Sequence, residues 1–237
     1  MLVSDSGRVP ETPSRFGVPS SETETVTGKD TGGGPNPQPL APTTKIFLSS
    51  CYHSPMIVVI SGTNRPGART LAVANAVDQV LRDAGEPEQL LDLGQLPHEL
   101  FAPSSYIAKP VSFEPFQRAI LAADGVLTVV PEYNGSYPGA LKLFIDMLRF
   151  PESLHEKPAA FVGVSNGRWG ALRAVEQLEM VFAYRHAHLY GRRVFLPGIG
   201  DLLDATGKLS DPELLDRLRV MTLGFAAFCR SLCAPRG

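Results

Sequence analysis

The residues best suited to chemistry lie in three short loops, each of which follows an apolar run. The first loop, residues 61–70, is rich in hydroxyl, guanidinium and glycine groups and leads into a predicted helix. Free amides at a helix N-terminus, together with arginine side chains, favour the binding of a phosphate dianion. The expected phosphate contacts are Thr63, Arg65, Gly67, Ala68, Arg69 and Thr70. The alternative is a purely structural turn with solvated arginines.

The spacing of this loop argues against two other phosphate motifs. A Walker loop requires Lys and then Ser or Thr after its last glycine, whereas Ala68 and Arg69 follow Gly67. The dinucleotide-binding fingerprint requires a glycine at the position that Asn64 occupies. The loop therefore predicts a bound phosphate group and disfavours hydrolysis of a nucleoside triphosphate.

The second loop, residues 131–139, and the third, residues 165–170, are small, polar and rich in turn-forming residues. In the second loop, prolines flank an Asn–Gly pair, which favours a rigid turn with its backbone groups facing outward. Such groups suit the polar edge of a planar heterocycle, and the third loop could meet the far edge. The candidate contacts are Pro131, Glu132, Tyr133, Asn134, Ser165, Asn166 and Gly167. The alternatives are a structural turn in the second loop and helix capping by Ser165 or Asn166 in the third.

Alternating apolar runs and amphipathic stretches predict the elements that hold these loops. The β-branched run at residues 57–60 is typical of a strand buried on both faces, and Leu71, Ala74, Val77 and Leu81 recur at helical spacing. The predicted strands are residues 57–61, 89–93, 125–130, 158–165 and 193–196. The predicted helices are residues 70–84, 113–123, 139–148, 169–186 and 212–232, the last capped by Asp211.

Five strands that alternate with five helices predict an α/β fold, because each parallel connection needs a crossover helix. The expected architecture is a flavodoxin-like, doubly wound, five-stranded parallel sheet in the order 2-1-3-4-5, with helices on both faces. Ligands of such sheets bind beyond the carboxyl ends of the strands, beside the switch point of the strand order. We therefore expect all three loops to meet at one edge of the sheet.

Composition divides the chain and excludes several functional classes. More than half of residues 1–55 are Pro, Gly, Ser or Thr, which predicts a disordered tail before a domain at residues 56–237. The balance of 22 basic and 24 acidic residues offers no electrostatic field for nucleic acid. No apolar run reaches the roughly 18–20 residues of a membrane span. Whether the tail is a linker, a targeting arm or a passenger stays open.

The cysteines and histidines predict neither a disulfide framework nor a metal site. Cys51, Cys229 and Cys233 are too few and too unevenly spaced for either. His186 and His188 lie two positions apart and would point to different sides of a helix. We therefore expect no metal, and a reducing cytoplasmic location.

Taken in order, the three loops resemble those of the NAD(P)H-dependent FMN reductases, a flavodoxin-like family that includes chromate, quinone and azo reductases. The first loop is similar to the family's Gly-Ser-x-Arg phosphate loop, with Thr63 in place of Ser and Arg65 retained. The most specific match is Pro-Glu-Tyr-Asn at residues 131–134, followed by Pro-Gly-Ala-Leu-Lys at residues 138–142 and by Asp146. The third loop matches more loosely, and the resemblance extends over residues 56–232.

The chain departs from the family at Ala68 and Thr70, where Ser and Asn are common, and Arg69 is a possible substitute contact. The resemblance implies bound FMN, with its phosphate in the first loop and its ring against residues 131–134. It also implies NADPH or NADH as electron donor, quinone-like or other small acceptors, no catalytic acid or base, and a homodimer or homotetramer. Two alternatives remain: an FMN-binding electron-transfer protein without direct use of nicotinamide, and a flavin-free phosphate-binding domain.

Overall fold

The computed structural model describes residues 54–232 of the 237-residue chain. Within this range, strands and helices alternate as predicted, except that two strands follow one another between the last two helices. The strands are β1 (Ile57–Ser61), β2 (Glu88–Asp92), β3 (Gly125–Pro131), β4 (Pro158–Val164), β5 (His188–Leu189) and β6 (Val194–Leu196). The helices are α1 (Arg69–Asp83), α2 (Glu114–Ala122), α3 (Gly139–Met147), α4 (Leu172–Tyr184) and α5 (Pro212–Leu232). The tail predicted to be disordered lies outside the described residues except for its last two members, so it and the boundary at Met56 stay predictions.

All the strand pairs in the described sheet are parallel, and the order is β2-β1-β3-β4-β5. The predicted flavodoxin-like order is therefore confirmed. The fifth position is divided, because β5 pairs with Pro158 and Ala159 while β6 pairs with β4 nearer its carboxyl end. Sequence reasoning missed β5 because both of its residues are exposed, which removes the apolar alternation that marks a strand.

Side chains of the sheet point alternately into two separate cores. In β1, Val58 and Ile60 pack on the side that holds α2, α3 and α4. Ile57 and Val59 pack on the other side, against α1 and α5. The central strands β1, β3 and β4 are buried along their whole length. Helices on both faces thus explain the continuous apolar runs in these strands.

Two helix starts illustrate what local sequence can and cannot predict. Asp211 caps α5 as predicted, since its carboxylate accepts a 2.8 Å hydrogen bond from the Leu214 amide. Helix α4 begins later than predicted, because Gly170 and Ala171 adopt left-handed conformations with φ of 57° and 73°. Trp169 consequently stays in the third loop and is 61% exposed, so it does not begin the packed face of α4.

Candidate cofactor-binding site

A polar cleft of about 710 Å³ opens where the three loops meet at the carboxyl edge of the sheet. Its volume falls within the roughly 300–1,000 Å³ of small-molecule sites. Every predicted contact except Thr63 lines it, namely Arg65, Gly67, Ala68, Arg69, Thr70, Pro131, Glu132, Tyr133, Asn134, Ser165, Asn166 and Gly167. The structure therefore brings together residues from three loops that are separated by up to about a hundred positions in the sequence.

The first loop presents the N-terminus of α1 to this cleft. Ala68 occupies the N-cap position in an extended conformation, no side chain caps the helix, and its first turn carries no acidic residue. The Leu71 amide donates a 3.1 Å hydrogen bond to the Ala68 carbonyl, which leaves the amides of Arg69 and Thr70 available to an anion. The helix dipole also favours negative charge there. Gly67 has a φ of 65°, which glycine adopts without steric cost. The exposed side chains of Arg65 and Arg69 complete a site suited to phosphate.

Thr63 lies behind the cleft and is only 1% exposed. Its Oγ1 lies 2.8 Å from the Tyr133 hydroxyl and accepts a 3.2 Å hydrogen bond from the Arg65 amide. The side chain therefore joins the first loop to the second and shapes the turn that carries Arg65. Thr63 does not line the cleft, and its predicted role as a direct contact of the cofactor stays a prediction.

The second loop forms the tight turn that its Asn–Gly pair predicts. Tyr133 and Ser136 exchange two backbone hydrogen bonds of 2.8 and 3.1 Å. Between them, Asn134 and Gly135 have φ values of 53° and 79°, the left-handed pair that is characteristic of a type I′ turn. The amide of Glu132 also donates a 3.3 Å hydrogen bond to the carbonyl of Val164 in β4. The turn is therefore rigid, and Asn134 and Gly135 border the cleft.

Gln177 of α4 holds this turn from outside the cleft, and sequence reasoning missed it. The Ser136 hydroxyl donates to Gln177 Oε1 at 2.5 Å, and Gln177 Nε2 donates to the Gly135 carbonyl at 3.2 Å. These contacts join residues about forty positions apart in the sequence, so no local motif predicts them. The available signal was a polar residue beside the buried positions Ala174 and Leu178.

The third loop is connected to the first by Asn166. Its Oδ1 accepts hydrogen bonds from Arg69 Nη1 at 3.1 Å and from the Gly200 amide at 3.2 Å. The alternative of helix capping is thus wrong for Asn166, because α4 begins six residues later, at Leu172, and has Ala171 at its N-cap. The loop after β6 also contributes Ile199 to the cleft, a residue that sequence reasoning missed. The Pro-Gly-Ile-Gly run after the predicted fifth strand was the available signal.

The residues that line the cleft are suited to holding a ligand and not to acid–base catalysis. It contains Arg65, Arg69, Glu132 and Tyr133, but no His, Cys or Lys. The arginine end suits an anion, and the turn of the second loop offers backbone groups to a planar polar edge. These residues fit FMN, which has an anionic phosphate at one end and a planar ring with polar edges at the other. Because such a cofactor itself carries the reactive atoms, the site needs no acid or base side chain.

Two other kinds of feature, a metal-ion site and a membrane-spanning helix, are absent from residues 54–232. These residues include no group of three or more His, Cys, Asp or Glu side chains placed to hold a metal ion. Among the helices of this segment, none combines the length and apolar character needed to cross a membrane. His186 adopts a left-handed conformation after α4 and His188 belongs to β5, so the two histidines do not share one helix.

Comparison with known proteins places this geometry in context. A family model for NADPH-dependent FMN reductase matches residues 55–200. An NAD(P)H-dependent FMN reductase of Pseudomonas aeruginosa is 30% identical over 181 residues, covering 74% of this chain and 96% of that protein. A quinone reductase of Escherichia coli is 28% identical over 176 residues, covering 73% of this chain and 94% of that protein.

Solved structures are similar in fold. FerB, a flavoenzyme NAD(P)H:(acceptor) oxidoreductase from Paracoccus denitrificans, has a TM-score of 0.64 and 23% sequence identity. The match covers 75% of this chain and 98% of that chain. The family match in turn spans more than half of the 237 residues, and it includes all three loops of the cleft. The chain therefore belongs to the NADPH-dependent FMN reductase family.

Proposed function

We propose that this chain is an FMN-dependent NAD(P)H oxidoreductase that passes electrons from a nicotinamide cofactor to quinone-like or other small acceptors. The observation that carries the proposal is the meeting of an uncapped, arginine-flanked helix N-terminus with a rigid type I′ turn in one cleft. The family match supports it, as does the similarity to the quinone reductase of Escherichia coli.

The phosphate end of FMN would be held by the first loop. The N-terminal amides of α1 and the guanidinium groups of Arg65 and Arg69 supply donors and positive charge. Asn166 holds the Arg69 side chain through its 3.1 Å hydrogen bond. A guanidinium that is already oriented loses less conformational entropy when it meets an anion.

The ring end would lie against the second and third loops. Residues 131–135 offer backbone groups whose orientation is fixed by the turn, and residues 165–167 offer small polar groups on the opposite side. Bound FMN would supply the redox chemistry, namely acceptance of a hydride from the nicotinamide cofactor and transfer of electrons to the acceptor. The protein contributes position and electrostatics, since backbone donors stabilise negative charge that develops at the ring edge.

The test is cofactor uptake followed by turnover. The purified full chain, mixed with FMN and separated from excess, is expected to retain a flavin spectrum and to oxidise NADPH or NADH only when a quinone or another acceptor is supplied. A chain that takes up no FMN would contradict the proposal. A chain that binds FMN but never oxidises a nicotinamide cofactor would instead favour the electron-transfer alternative.

A homodimer or homotetramer is the second part of the proposal, and a groove between α3 and α4 supports it. This α3–α4 groove has a volume of about 920 Å³ and is lined by Tyr137, Lys142, Ile145, Asp146, Leu148, Phe150, Gln177, Met180, Val181, Tyr184 and Arg185. Phe150, Met180 and Tyr184 are 61%, 65% and 76% exposed, a concentration of apolar surface typical of contact sites. Lys142 and Asp146 give it both signs of charge, which allows opposite charges to meet across a two-fold interface.

Light scattering on the purified chain tests the oligomer. The wild-type mass is expected to be a multiple of that of one chain, and the double substitution Met180→Glu with Tyr184→Glu is expected to yield single chains. Substitution of the exposed Val220 by Glu on α5 is the matched control and should leave the mass unchanged. A wild-type protein of single-chain mass would contradict the proposal.

We also propose that residues 1–55 are dispensable for FMN binding and that the chain works in the cytoplasm. The backbone of Met56 is anchored, since its amide donates to the Asp124 carboxylate at 2.9 Å and its carbonyl accepts from the Asp124 amide at 2.8 Å. A chain shortened to begin at Met56 is expected to bind FMN as tightly as the full chain. A large loss of affinity would assign a role to the tail.

A further inference from the structure

We propose that Gln177 is a positioning residue that sets how the turn of residues 133–136 meets bound FMN. This inference rests on the proposed function wherever its test measures bound FMN. Gln177 does not border the cleft; it lines the α3–α4 groove on the far side of the turn. Within one chain it therefore acts on the site through the backbone that it holds.

The turn is attached to the protein at two ends. At one end, the Tyr133 hydroxyl lies 2.8 Å from Thr63 Oγ1, which fixes it to the first loop. At the other end, Gln177 accepts from the Ser136 hydroxyl at 2.5 Å and donates to the Gly135 carbonyl at 3.2 Å. The carboxamide thus uses both its acceptor and its donor on consecutive residues of the turn, whereas the ionised carboxylate of Glu, which has the same length, offers acceptors only.

The position of Gln177 makes this attachment rigid. It lies on α4 between residues of the buried face, where Ala174 and Leu178 are fully enclosed in the core. A group mounted on a packed helix is held more closely than one mounted on a loop. The turn itself has two left-handed residues, so its geometry is stabilised by the hydrogen bonds that close and support it.

The consequence for function concerns the backbone groups of the turn. Asn134 and Gly135 border the cleft. Backbone dipoles that are already held in place stabilise or destabilise negative charge on a bound ring, because they do not have to reorient when that charge appears. Loss of the Gln177 hydrogen bonds should therefore change the ring environment while leaving the phosphate end untouched. The effect should be equal for FMN and riboflavin, because both carry the same ring.

Gln177→Leu, which removes both hydrogen bonds at similar size, is the principal test. We expect its affinity for FMN and for riboflavin to fall by the same factor, about 3- to 10-fold, the range for loss of a neutral hydrogen bond. The visible spectrum and midpoint potential of the bound FMN should also shift. Glu176→Gln, at an exposed neighbour on the same helix, is the matched control and should change none of these quantities.

Two further measurements keep the inference falsifiable. Gln177→Glu can still accept from Ser136 but cannot donate to Gly135, so its shifts should lie between those of the wild type and of Gln177→Leu. In protein without FMN, the amides of Asn134 and Gly135 should exchange with solvent faster in Gln177→Leu than in the wild type. Unchanged affinity, spectrum and amide exchange in Gln177→Leu would overturn the inference. If the wild type bound no FMN, the proposed function would fail, and amide exchange would still decide the role of Gln177.

Discussion

Replacement of Arg65 by Ala should weaken FMN binding through loss of a phosphate contact. The Arg65 side chain is exposed, lines the cleft, and forms no ion pair within residues 54–232. It is therefore available to an anion without breaking an internal contact. Hydrogen bonds to charged groups contribute about 1.5–3 kcal/mol, so the dissociation constant should rise about 10- to 150-fold. Arg69 and the amides of α1 remain, which is why binding should weaken but persist.

Titration of flavin fluorescence measures this effect, and riboflavin provides the decisive comparison. Riboflavin lacks the phosphate, so Arg65→Ala should leave its affinity nearly unchanged. Arg168→Ala removes an exposed cation that does not line the cleft and is the matched control for general charge. The loss in Arg65→Ala should also shrink as salt is added, because exposed charges are screened.

Two outcomes would refute this reasoning. An equal loss for FMN and riboflavin would place Arg65 at the ring, or would show that the substitution disturbs the whole cleft. An equal loss of FMN affinity in Arg168→Ala would show that the effect comes from net charge alone. In either case the assignment of Arg65 as a phosphate contact would fail.

Two further predictions concern stability. Gly62→Ala would place a Cβ 2.6 Å from the Val129 carbonyl oxygen, so the free energy of unfolding in urea should fall by about 1–3 kcal/mol, whereas Gly139→Ala, which meets nothing within 4 Å, should not lower it; equal stability of the two variants would contradict this packing. Burial and a neighbouring carboxylate raise the pKa of Asp78 from 3.8 to about 6. The folded state then binds the proton more tightly than the unfolded state, so the contribution of this group to stability falls as pH rises from about 4 to about 6. Asp78→Asn should flatten that dependence, because it removes the group that titrates. It should raise stability at pH 7 by only about 1 kcal/mol, since the exposed partner Arg82 already offsets part of the cost of burying the charged carboxylate. An unchanged pH profile of urea unfolding would contradict this prediction.

The convergence of the three loops could be predicted because it follows from topology. Parallel strands place all their carboxyl ends at one edge, so loops distant in sequence must meet once the strand order is known. The turn at Asn134 and Gly135 was also predictable, since an Asn–Gly pair favours left-handed backbone whatever surrounds it. Local chemistry and topology thus account for the location of the cleft.

The supports of the cleft could not be predicted, because they depend on side-chain contacts between distant segments. Asn166 reaches Arg69 across 97 residues of sequence, and Gln177 reaches Gly135 across 42. Nothing in the sequence indicates that Thr63 is buried with its Oγ1 2.8 Å from the Tyr133 hydroxyl. Which face of a loop a short side chain takes is decided by packing, and periodicity carries no information about it.

The central claim is that FMN held in this cleft takes electrons directly from a nicotinamide cofactor. The most direct measurement is rapid mixing, without oxygen, of FMN-loaded protein with NADPH and separately with NADH, while the visible flavin absorption is recorded. We predict that at least one of the two bleaches the flavin band in a saturable manner, and that a quinone added afterwards restores it. A flavin band that neither cofactor bleaches faster than it bleaches free FMN would contradict the claim.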